Sequence, residues 1–364
     1  MDNYVVSARK YRPQTFDEVV GQEVIAKTLE HAIENNHLAQ ALLFCGPRGV
    51  GKTTCARILA RKINESATDD SKDSDFTFNI FELDAASNNS VDDIRSLVDQ
   101  VRFPPQVGQY KVYIIDEVHM LSNQAFNAFL KTLEEPPAHA IFILATTEKH
   151  KIIPTILSRC QIYDFKRISI IDIKNHLKKI AAQENIEYED DALHLIAQKA
   201  DGALRDALSI FDRLVTFGNG NVSMQVVTET LNVLDYETYF SVTQHLIGNE
   251  IPKVLLQLEE ILQKGFDAQL FISGLGSHLR DLLVAKHAET QSLLDVGEKT
   301  AQKYLKQAQI CNLNFLLQGI EICNKADIDY KNSKNQRLTV ELALMQLASL
   351  TAEDNTIFKK KSLE

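Results

Sequence analysis

Gly-Pro-Arg-Gly-Val-Gly-Lys-Thr, at residues 46–53, is the stretch of this sequence that decides the fold. It matches the pattern GxxxxGK followed by Ser or Thr, comes after the apolar run Ala41–Cys45, and opens a helical pattern at Thr53–Ile63. In a strand–loop–helix of this kind, glycines let backbone N–H groups surround phosphate oxygens, and the helix N-terminus favours negative charge. A loop that merely turns the chain is the alternative. The strand and the helix on either side favour a nucleotide-binding P-loop.

The P-loop residues have distinct expected roles. Lys52 is predicted to neutralise the β- and γ-phosphates, and the Thr53 hydroxyl is predicted to ligate Mg²⁺. We therefore expect ATP and Mg²⁺ as cofactors. The nucleotide-binding residues predicted in this segment are Gly46, Pro47, Arg48, Gly49, Val50, Gly51, Lys52, Thr53 and Thr54.

The first ~168 residues alternate between strand and helix patterns. Besides Ala41–Cys45, the runs Phe81–Asp84, Lys111–Asp116 and Ala140–Thr146 are short, apolar and bounded by polar or glycine-rich turns. Such runs are typical of strands buried on both faces of a parallel sheet. Asn123–Glu134 carries apolar residues at helical spacing and is followed by prolines. The pattern predicts an α/β fold, a parallel sheet with flanking helices.

Two carboxylates follow the strand Lys111–Asp116. Asp116 ends the strand and can hold Mg²⁺ directly or through water, and Glu117 is the expected base that activates the attacking water. The alternative is that both residues only face solvent or cap the next helix. Their position after a P-loop favours the catalytic interpretation.

Three further residues are candidates for contact with the phosphates of a nucleotide, Thr147 and Arg159 with the γ-phosphate in particular. Thr147 ends a buried strand, although threonine is common in strands. Arg159 lies just beyond the predicted sheet and could reach the site of a neighbouring subunit, or form only a surface ion pair. Arg205 is in the first turn of a predicted helix, where the helix dipole disfavours a cation. An anionic ligand would explain that placement, as would a local ion pair with Asp201 or Asp206.

The chain length and pattern predict several domains. At 364 residues the chain exceeds the roughly 250–300 residues at which single cores stop growing. We predict a nucleotide-binding α/β domain at 1–168, a small three-helix domain at 169–234, and an all-α domain at 235–352. Residues 353–364, including Lys359-Lys360-Lys361, are predicted to follow the last helix as a mobile tail.

Composition excludes several classes of protein. The formal net charge of −10 argues against a protein that coats nucleic acid electrostatically. Five widely spaced cysteines without a CxxC pair indicate neither a disulfide framework nor a zinc knuckle. There is no signal-peptide pattern and no apolar run near the ~20 residues that span a bilayer. We therefore expect a cytoplasmic protein without a membrane partner.

In order, these elements resemble an AAA+ ATPase, and the surrounding sequence resembles the gamma/tau subunits of the bacterial DNA polymerase III clamp loader. The segments that carry the narrower resemblance are ARKYRPQTF at 8–16, VVGQ at 19–22, DEVHML at 116–121, LKTLEEPP at 130–137 and SRC at 158–160. The match is dense over residues 4 to about 215.

The resemblance implies a role for each candidate residue. Thr147 would be sensor 1, Arg159 an arginine finger acting on a neighbouring subunit, and Arg205 sensor 2. The residues 169–234 would be the lid and 235–352 a collar that holds a five-subunit ring. The residues implied at the adenine end of the pocket are Tyr11, Arg12, Pro13, Val19 and Val20.

The resemblance also implies partners and an activity. The partners would be further copies of this chain, the subunits delta and delta-prime, the ring-shaped beta clamp and primer–template DNA. ATP binding and hydrolysis would drive opening and loading of the clamp as part of the DNA polymerase III holoenzyme. Alternatives are a non-hydrolysing structural subunit like delta-prime, and another AAA+ DNA-remodelling motor such as a branch-migration helicase.

Two segments depart from the family pattern. Most relatives carry a four-cysteine zinc module after the P-loop helix, whereas Asn64–Asn79 is short, acidic and without cysteine, so we predict no zinc. Relatives often carry basic residues at a helix end that meets DNA, where this chain has Ser87-Asn88-Asn89-Ser90. Ser90 either contributes to a phosphate contact, with Arg95 nearby, or only caps the following helix.

Overall fold

A five-stranded parallel sheet forms the core of the first part of the chain. The computed structural model describes residues 5–65, 76–231 and 234–361. The sheet has the strand order β2-β3-β4-β1-β5. Its strands are β1 (Ala41–Cys45), β2 (Ile80–Asp84), β3 (Lys111–Asp116), β4 (Ala140–Thr146) and β5 (Gln161–Asp164).

Alternate residues of the central strands pack into two different cores. In β1, Leu42 and Phe44 face one core, while Leu43 and Cys45 face the other. Helices α2 (Glu23–Glu34) and α3 (Lys52–Glu65) cover the first face, and α4 (Val91–Val101) and α5 (Asn123–Glu134) cover the second. The near-continuous apolar sequence of these strands follows from burial on both faces. The predicted α/β class is confirmed.

Twelve more α-helices lie in the described part of the chain. They are α1 (Ser7–Lys10), α6 (Pro154–Leu157), α7 (Ile170–Gln183), α8 (Asp190–Lys199), α9 (Leu204–Phe217), α10 (Met224–Leu231), α11 (Tyr236–Ile247), α12 (Ile251–Gln263), α13 (Ala268–Ala285), α14 (Glu298–Ile310), α15 (Leu313–Tyr330) and α16 (Gln336–Lys361). Two short strands, β6 (Glu187–Tyr188) and β7 (Asn221–Val222), pair in parallel.

The chain divides into two compact units. The first comprises Met1–Asn185 and Ile196–Arg213, and the second comprises Ile186–Leu195 and Leu214–Glu364. The second unit has its own helical core, in which α13, α15 and α16 contribute most of the buried side chains. The division into three domains at 168 and 234 stays a prediction.

Two expectations about individual elements need correction. Residues 161–164 form the edge strand β5, which the sequence pattern did not predict because only Tyr163 in it is buried. Lys359-Lys360-Lys361 belong to α16 and do not follow it. The stretch from Thr351 to Lys361 contains neither glycine nor proline, so nothing in it ends the helix.

A histidine is buried in the helical core of the second unit. His278 Nδ1 lies 2.8 Å from Tyr304 Oη, and its Nε2 lies 3.3 Å from Gln307 Oε1. Gln307 Nε2 in turn donates to the Phe240 carbonyl at 2.8 Å. Burial lowers the pKa of His278 from 6.5 to about 4, so the folded unit holds this imidazole neutral at pH 7.

This buried imidazole should make the second unit sensitive to acid. The unfolded chain takes up the His278 proton near pH 6.5, before the folded unit does, so the free energy of unfolding falls as the pH falls from about 6.5 towards 4. Between pH 7 and pH 5, urea unfolding of the wild type should lose about 2 kcal/mol more than that of His278→Gln. The exposed His287→Gln is the control. Equal pH dependence in wild type and His278→Gln would contradict the assignment.

Candidate nucleotide-binding site

The P-loop begins at Gly46, where β1 passes between its two neighbours. The Gly46 N–H donates to the Thr146 carbonyl at 3.2 Å. Gly46 has a φ of +147°, and a Cβ there would lie 2.4 Å from the Phe165 carbonyl oxygen. Gly49 has a φ of +76°, and a Cβ at this position would lie 3.0 Å from the Cβ of Ala203. The loop backbone therefore needs glycine at both positions.

The backbone of this loop offers donors to a ligand. Among the described residues, the N–H groups of Gly49, Gly51 and Lys52 donate no hydrogen bond. They precede or open α3, whose N-terminus carries a partial positive charge. Donors in this position fit phosphate oxygens.

Lys52 is buried at the base of the loop. Its Nζ donates to the carbonyls of Gly46 and Pro47, each at 2.7 Å. Burial lowers the pKa of Lys52, and the carboxylates of Glu117 and Asp116 oppose this shift. The ammonium is thus held by two carbonyls and faces acidic groups, as expected for a cation that contacts phosphate.

Thr53 and Asp116 are brought together across the end of the sheet. Thr53 Oγ1 donates to Asp116 Oδ2 at 2.7 Å, and Asp116 Oδ1 accepts from the Glu117 N–H at 2.9 Å. A hydroxyl and a carboxylate are the oxygen ligands that Mg²⁺ prefers in phosphate-binding sites. The pair therefore fits the predicted metal-binding role of these two residues.

Glu117 lies in a constrained position beside Thr147. It adopts the left-handed conformation with a φ of 48°, which costs a non-glycine residue about 1–3 kcal/mol. Its Oε2 accepts hydrogen bonds from the Thr147 N–H at 3.2 Å and from Thr147 Oγ1 at 3.0 Å. The predicted base and the predicted sensor are thus in direct contact.

His119 is a site residue that sequence reasoning missed. Its buried ring places Nδ1 3.4 Å from Glu117 Oε2 and 3.0 Å from Thr146 Oγ1, and Nε2 3.0 Å from Glu148 Oε2. The available signal was its position two residues after Glu117, in the 3-10 turn Val118–Met120. His119 connects the carboxylate of Glu117 to the end of β4.

One cavity is lined by most of the predicted residues. Both the P-loop and the residues expected at the adenine end contribute to it. Lining residues that had been predicted are Tyr11, Arg12, Pro13, Val19, Val20, Arg48, Gly49, Val50, Gly51, Lys52, Thr53, Thr54, Asp116, Glu117 and Arg205. Sequence reasoning missed Ala8, Ile168, Leu204 and Leu208, although Leu208 lies three residues after Arg205 and therefore on the same face of α9.

Arg205 approaches the P-loop from the start of α9. The backbone N–H of Arg205 donates to the Gly49 carbonyl at 3.4 Å. Asp201, one of the two proposed local partners, pairs instead with Arg167. Within the described residues, Arg205 forms no ion pair with Asp201 or Asp206. The local ion pair therefore does not explain the position of Arg205.

The N-terminal arm, residues 5–15, is held against the helices that follow the sheet. The Ser7 N–H donates to Asp212 Oδ2 of α9 at 2.7 Å. Lys10 and Tyr11 both bond to Glu184, which follows α7. These contacts position Tyr11, Arg12 and Pro13 along the cavity.

Arg159 lies outside the cavity of its own chain. Its guanidinium donates to Glu134 Oε1 at 2.5 Å and to the Thr155 carbonyl at 2.6 Å. The ion-pair alternative thus holds for the single chain, and the role on a neighbouring subunit stays a prediction.

The segment before α4 forms a helix cap. Ser90 Oγ accepts from the Asp93 N–H at 3.2 Å, and Asp93 Oδ2 accepts from the Ser90 N–H at 3.1 Å. This reciprocal capping box satisfies two of the N–H donors at the helix end, and Asp92 and Asp93 add negative charge that disfavours a phosphate. Of the two interpretations of Ser90, the structure favours the cap.

The prediction about zinc concerns residues that are mostly not described. Residues 66–75, inside Asn64–Asn79, lie outside the described ranges. Elsewhere in the described chain, no group of three or more His, Cys, Asp or Glu side chains is arranged to hold a metal. The absence of zinc stays a prediction.

No described helix has the length and apolar character needed to cross a membrane.

Substitution of two P-loop glycines should separate steric overlap from backbone strain. Gly46 and Gly51 both have positive φ, but a Cβ at Gly51 meets nothing within 4 Å. Gly46→Ala should therefore lower the free energy of unfolding by about 1–3 kcal/mol more than Gly51→Ala, in the range of overpacked substitutions. Urea unfolding of both variants measures the difference. If both variants lose the same free energy of unfolding, the overlap of the new Cβ with Phe165 does not contribute to the loss.

Three protein-family models together match nearly the whole chain. Residues 21–169 match "DNA polymerase III, delta subunit", and residues 172–220 match "DNA polymerase III clamp loader subunit, ATPase lid domain". Residues 222–357 match "DNA polymerase III subunits gamma and tau domain III".

Curated relatives carry related names. The chain is 38% identical to DNA polymerase III subunit tau of Bacillus subtilis, over 95% of this chain and 63% of the relative. It is 42% identical to subunit tau of Escherichia coli, over 73% of this chain and 43% of the relative. Identity to subunit gamma of Buchnera aphidicola from Baizongia pistaciae is 33%, over 96% of this chain and 98% of the relative. The chain thus spans about half the length of several tau relatives and nearly all of this gamma relative.

Among solved structures, a mutant of Thermotoga maritima RuvB is similar with a TM-score of 0.50 at 21% identity, covering 82% of this chain and 91% of that one. This likeness supports an AAA+ fold. The sequence matches, above all the nearly full-length gamma relative, identify the family: the chain belongs to the gamma/tau subunit family of DNA polymerase III.

Proposed function

We propose that this chain is an ATPase subunit of the DNA polymerase III clamp loader, which uses ATP to load the beta sliding clamp onto primer–template DNA. The observation that carries the proposal is the convergence of Lys52, Thr53, Asp116 and Glu117 on one cavity. Membership of the gamma/tau family supports the assignment of this ATPase to a clamp loader.

The residues of the cavity would divide the work between binding and chemistry. Tyr11, Arg12 and Pro13 would contact the adenine end, while the P-loop N–H groups and Lys52 hold the phosphates. Mg²⁺ bound by Thr53 and Asp116 would neutralise phosphate charge. Glu117 would accept a proton from the attacking water, with Thr147 and His119 fixing its carboxylate.

The site would be completed by a second subunit. Arg159 does not line its own cavity, is exposed at the surface and pairs there with Glu134. We propose that it enters the γ-phosphate region of an adjacent copy and stabilises transition-state charge. Delta, delta-prime and further copies of this chain are the proposed partners in the ring.

The alternatives have less support. A structural subunit like delta-prime would not need the Thr53–Asp116 contact or the constrained Glu117 beside it. The likeness to RuvB is at 21% identity and therefore bears on the fold only. The matched relatives are named as polymerase III subunits.

Glu117→Gln should separate binding from hydrolysis. Removal of a general base lowers the rate by roughly 10²–10⁴-fold, while the P-loop contacts to ATP remain. Turnover would be measured with delta, delta-prime and the clamp, with and without primer–template DNA, and ATP binding by calorimetry. The exposed Glu135→Gln is the control. Turnover in Glu117→Gln equal to wild type would remove this residue from the mechanism, and unstimulated wild-type turnover would argue against clamp loading.

A mixing experiment tests the role of Arg159 across subunits. Arg159→Ala alone should lower turnover by roughly 10³–10⁵-fold in the assembled complex. Rings that mix Arg159→Ala with Glu117→Gln chains should recover part of the activity, because an intact cavity then meets an intact arginine. If the mixture stays as inactive as either variant, Arg159 does not act on a neighbour.

A further inference from the structure

A second cavity of about 220 Å³ lies beside the nucleotide cavity. The two share the lining residues Arg12, Pro13 and Thr54. A cavity that holds a single water needs a volume of only about 10–15 Å³, so this cavity is large enough for a polyatomic ligand. Its lining includes four arginines, namely Arg9, Arg12, Arg57 and Arg61.

Positive charge dominates this arginine cavity, although the whole chain has a net charge of −10. None of its described lining residues is acidic. Arg57 has a carboxylate partner outside the lining, since its Nε and NH2 donate to Glu82 at 2.5 Å each. Within the described residues, Arg9 and Arg12 form no ion pair. Glu18 also lies at the edge, since its Oε2 accepts a hydrogen bond from the N–H of the lining residue Gln14 at 2.7 Å. The lining thus brings four arginines together, with the carboxylates of Glu82 and Glu18 beside it.

The arginines come from two separate parts of the chain, α3 and the N-terminal arm. Arg57 and Arg61 lie one turn apart on α3, and Arg61 NH1 donates to Gln14 Oε1 at 2.5 Å. Arg9 is in α1, and Arg12 follows in the N-terminal arm. Guanidinium groups gathered in this way repel one another unless an anion lies between them. A solvated basic surface would not need the concave arrangement.

We propose that the arginine cavity binds a small phosphate anion of the class of a free diphosphate. Guanidinium groups present planar paired donors that match phosphate oxygens, and charge-assisted hydrogen bonds of this kind are strong. The concave shape favours a free anion over the backbone of a duplex. Because Arg12 and Thr54 line both cavities, the anion would also change the affinity of the nucleotide cavity, and the coupling would be reciprocal.

The test uses inorganic pyrophosphate as the probe. Calorimetric titration would be carried out on the chain with and without saturating ADP, so that binding at the P-loop is distinguished from binding at the arginine cavity. Arg9→Gln and Arg61→Gln remove cavity donors without touching the catalytic residues. The matched control is Arg102→Gln, an exposed arginine paired with Asp99 outside the cavity. Circular dichroism checks that all variants are folded.

We expect pyrophosphate to bind the ADP-saturated wild type and the Arg102→Gln control equally. Each cavity variant should bind on the order of tenfold more weakly, as for loss of a charged hydrogen bond. No saturable binding with ADP present, or unchanged binding in both cavity variants, would overturn the proposal. Loss of binding to a short DNA duplex in these variants, without loss of pyrophosphate binding, would assign the arginines to nucleic acid instead. Failure of ADP to bind would count against the ATP site alone, because the cavity variants would still report on pyrophosphate.

Discussion

The carboxyl end of β1 is the point on which the nucleotide cavity depends. This strand lies between β4 and β5, and two backbone hydrogen bonds hold its end, from Gly46 N–H to Thr146 and from Phe165 N–H to Cys45. The P-loop therefore begins between two neighbouring strand ends that are fixed in position. The backbone of Phe165 lies so close to Gly46 that a side chain there would have no space. The direction in which the loop leaves the sheet is thereby determined.

The acidic side of the cavity is organised by the neighbouring strand β3. Asp116 ends β3, and the left-handed conformation of Glu117 turns the next carboxylate towards the end of β4. There it meets Thr147 and the buried ring of His119. Two adjacent residues in sequence thus have separate surroundings, one beside the P-loop hydroxyl and the other beside the end of β4. This separation suits a metal ligand and a base.

Much of the fold and the cavity could be predicted because the signals are local. Apolar runs gave the bounds of β1, β3 and β4, and the prolines after Glu134 marked the end of α5. The strand β5 was missed because an edge strand buries little and carries a weak apolar pattern. His119 was missed for another reason, since its role depends on contacts with Glu148 and Thr146 that only the tertiary structure creates. The family resemblance supplied the adenine-side residues, which local patterns do not indicate.

Helix α9 contacts two separate segments of the chain, the P-loop and the N-terminal arm. Arg205 lies at its first turn beside Gly49, and Asp212, seven residues later, holds the N-terminal arm at Ser7. At 1.5 Å per residue these positions are separated by about 10 Å along a stiff rod. A displacement of α9 by about 1 Å at Arg205 would therefore displace Asp212, which accepts the hydrogen bond from Ser7, by a similar distance. The helix is thus a rigid connection between the P-loop and the N-terminal arm.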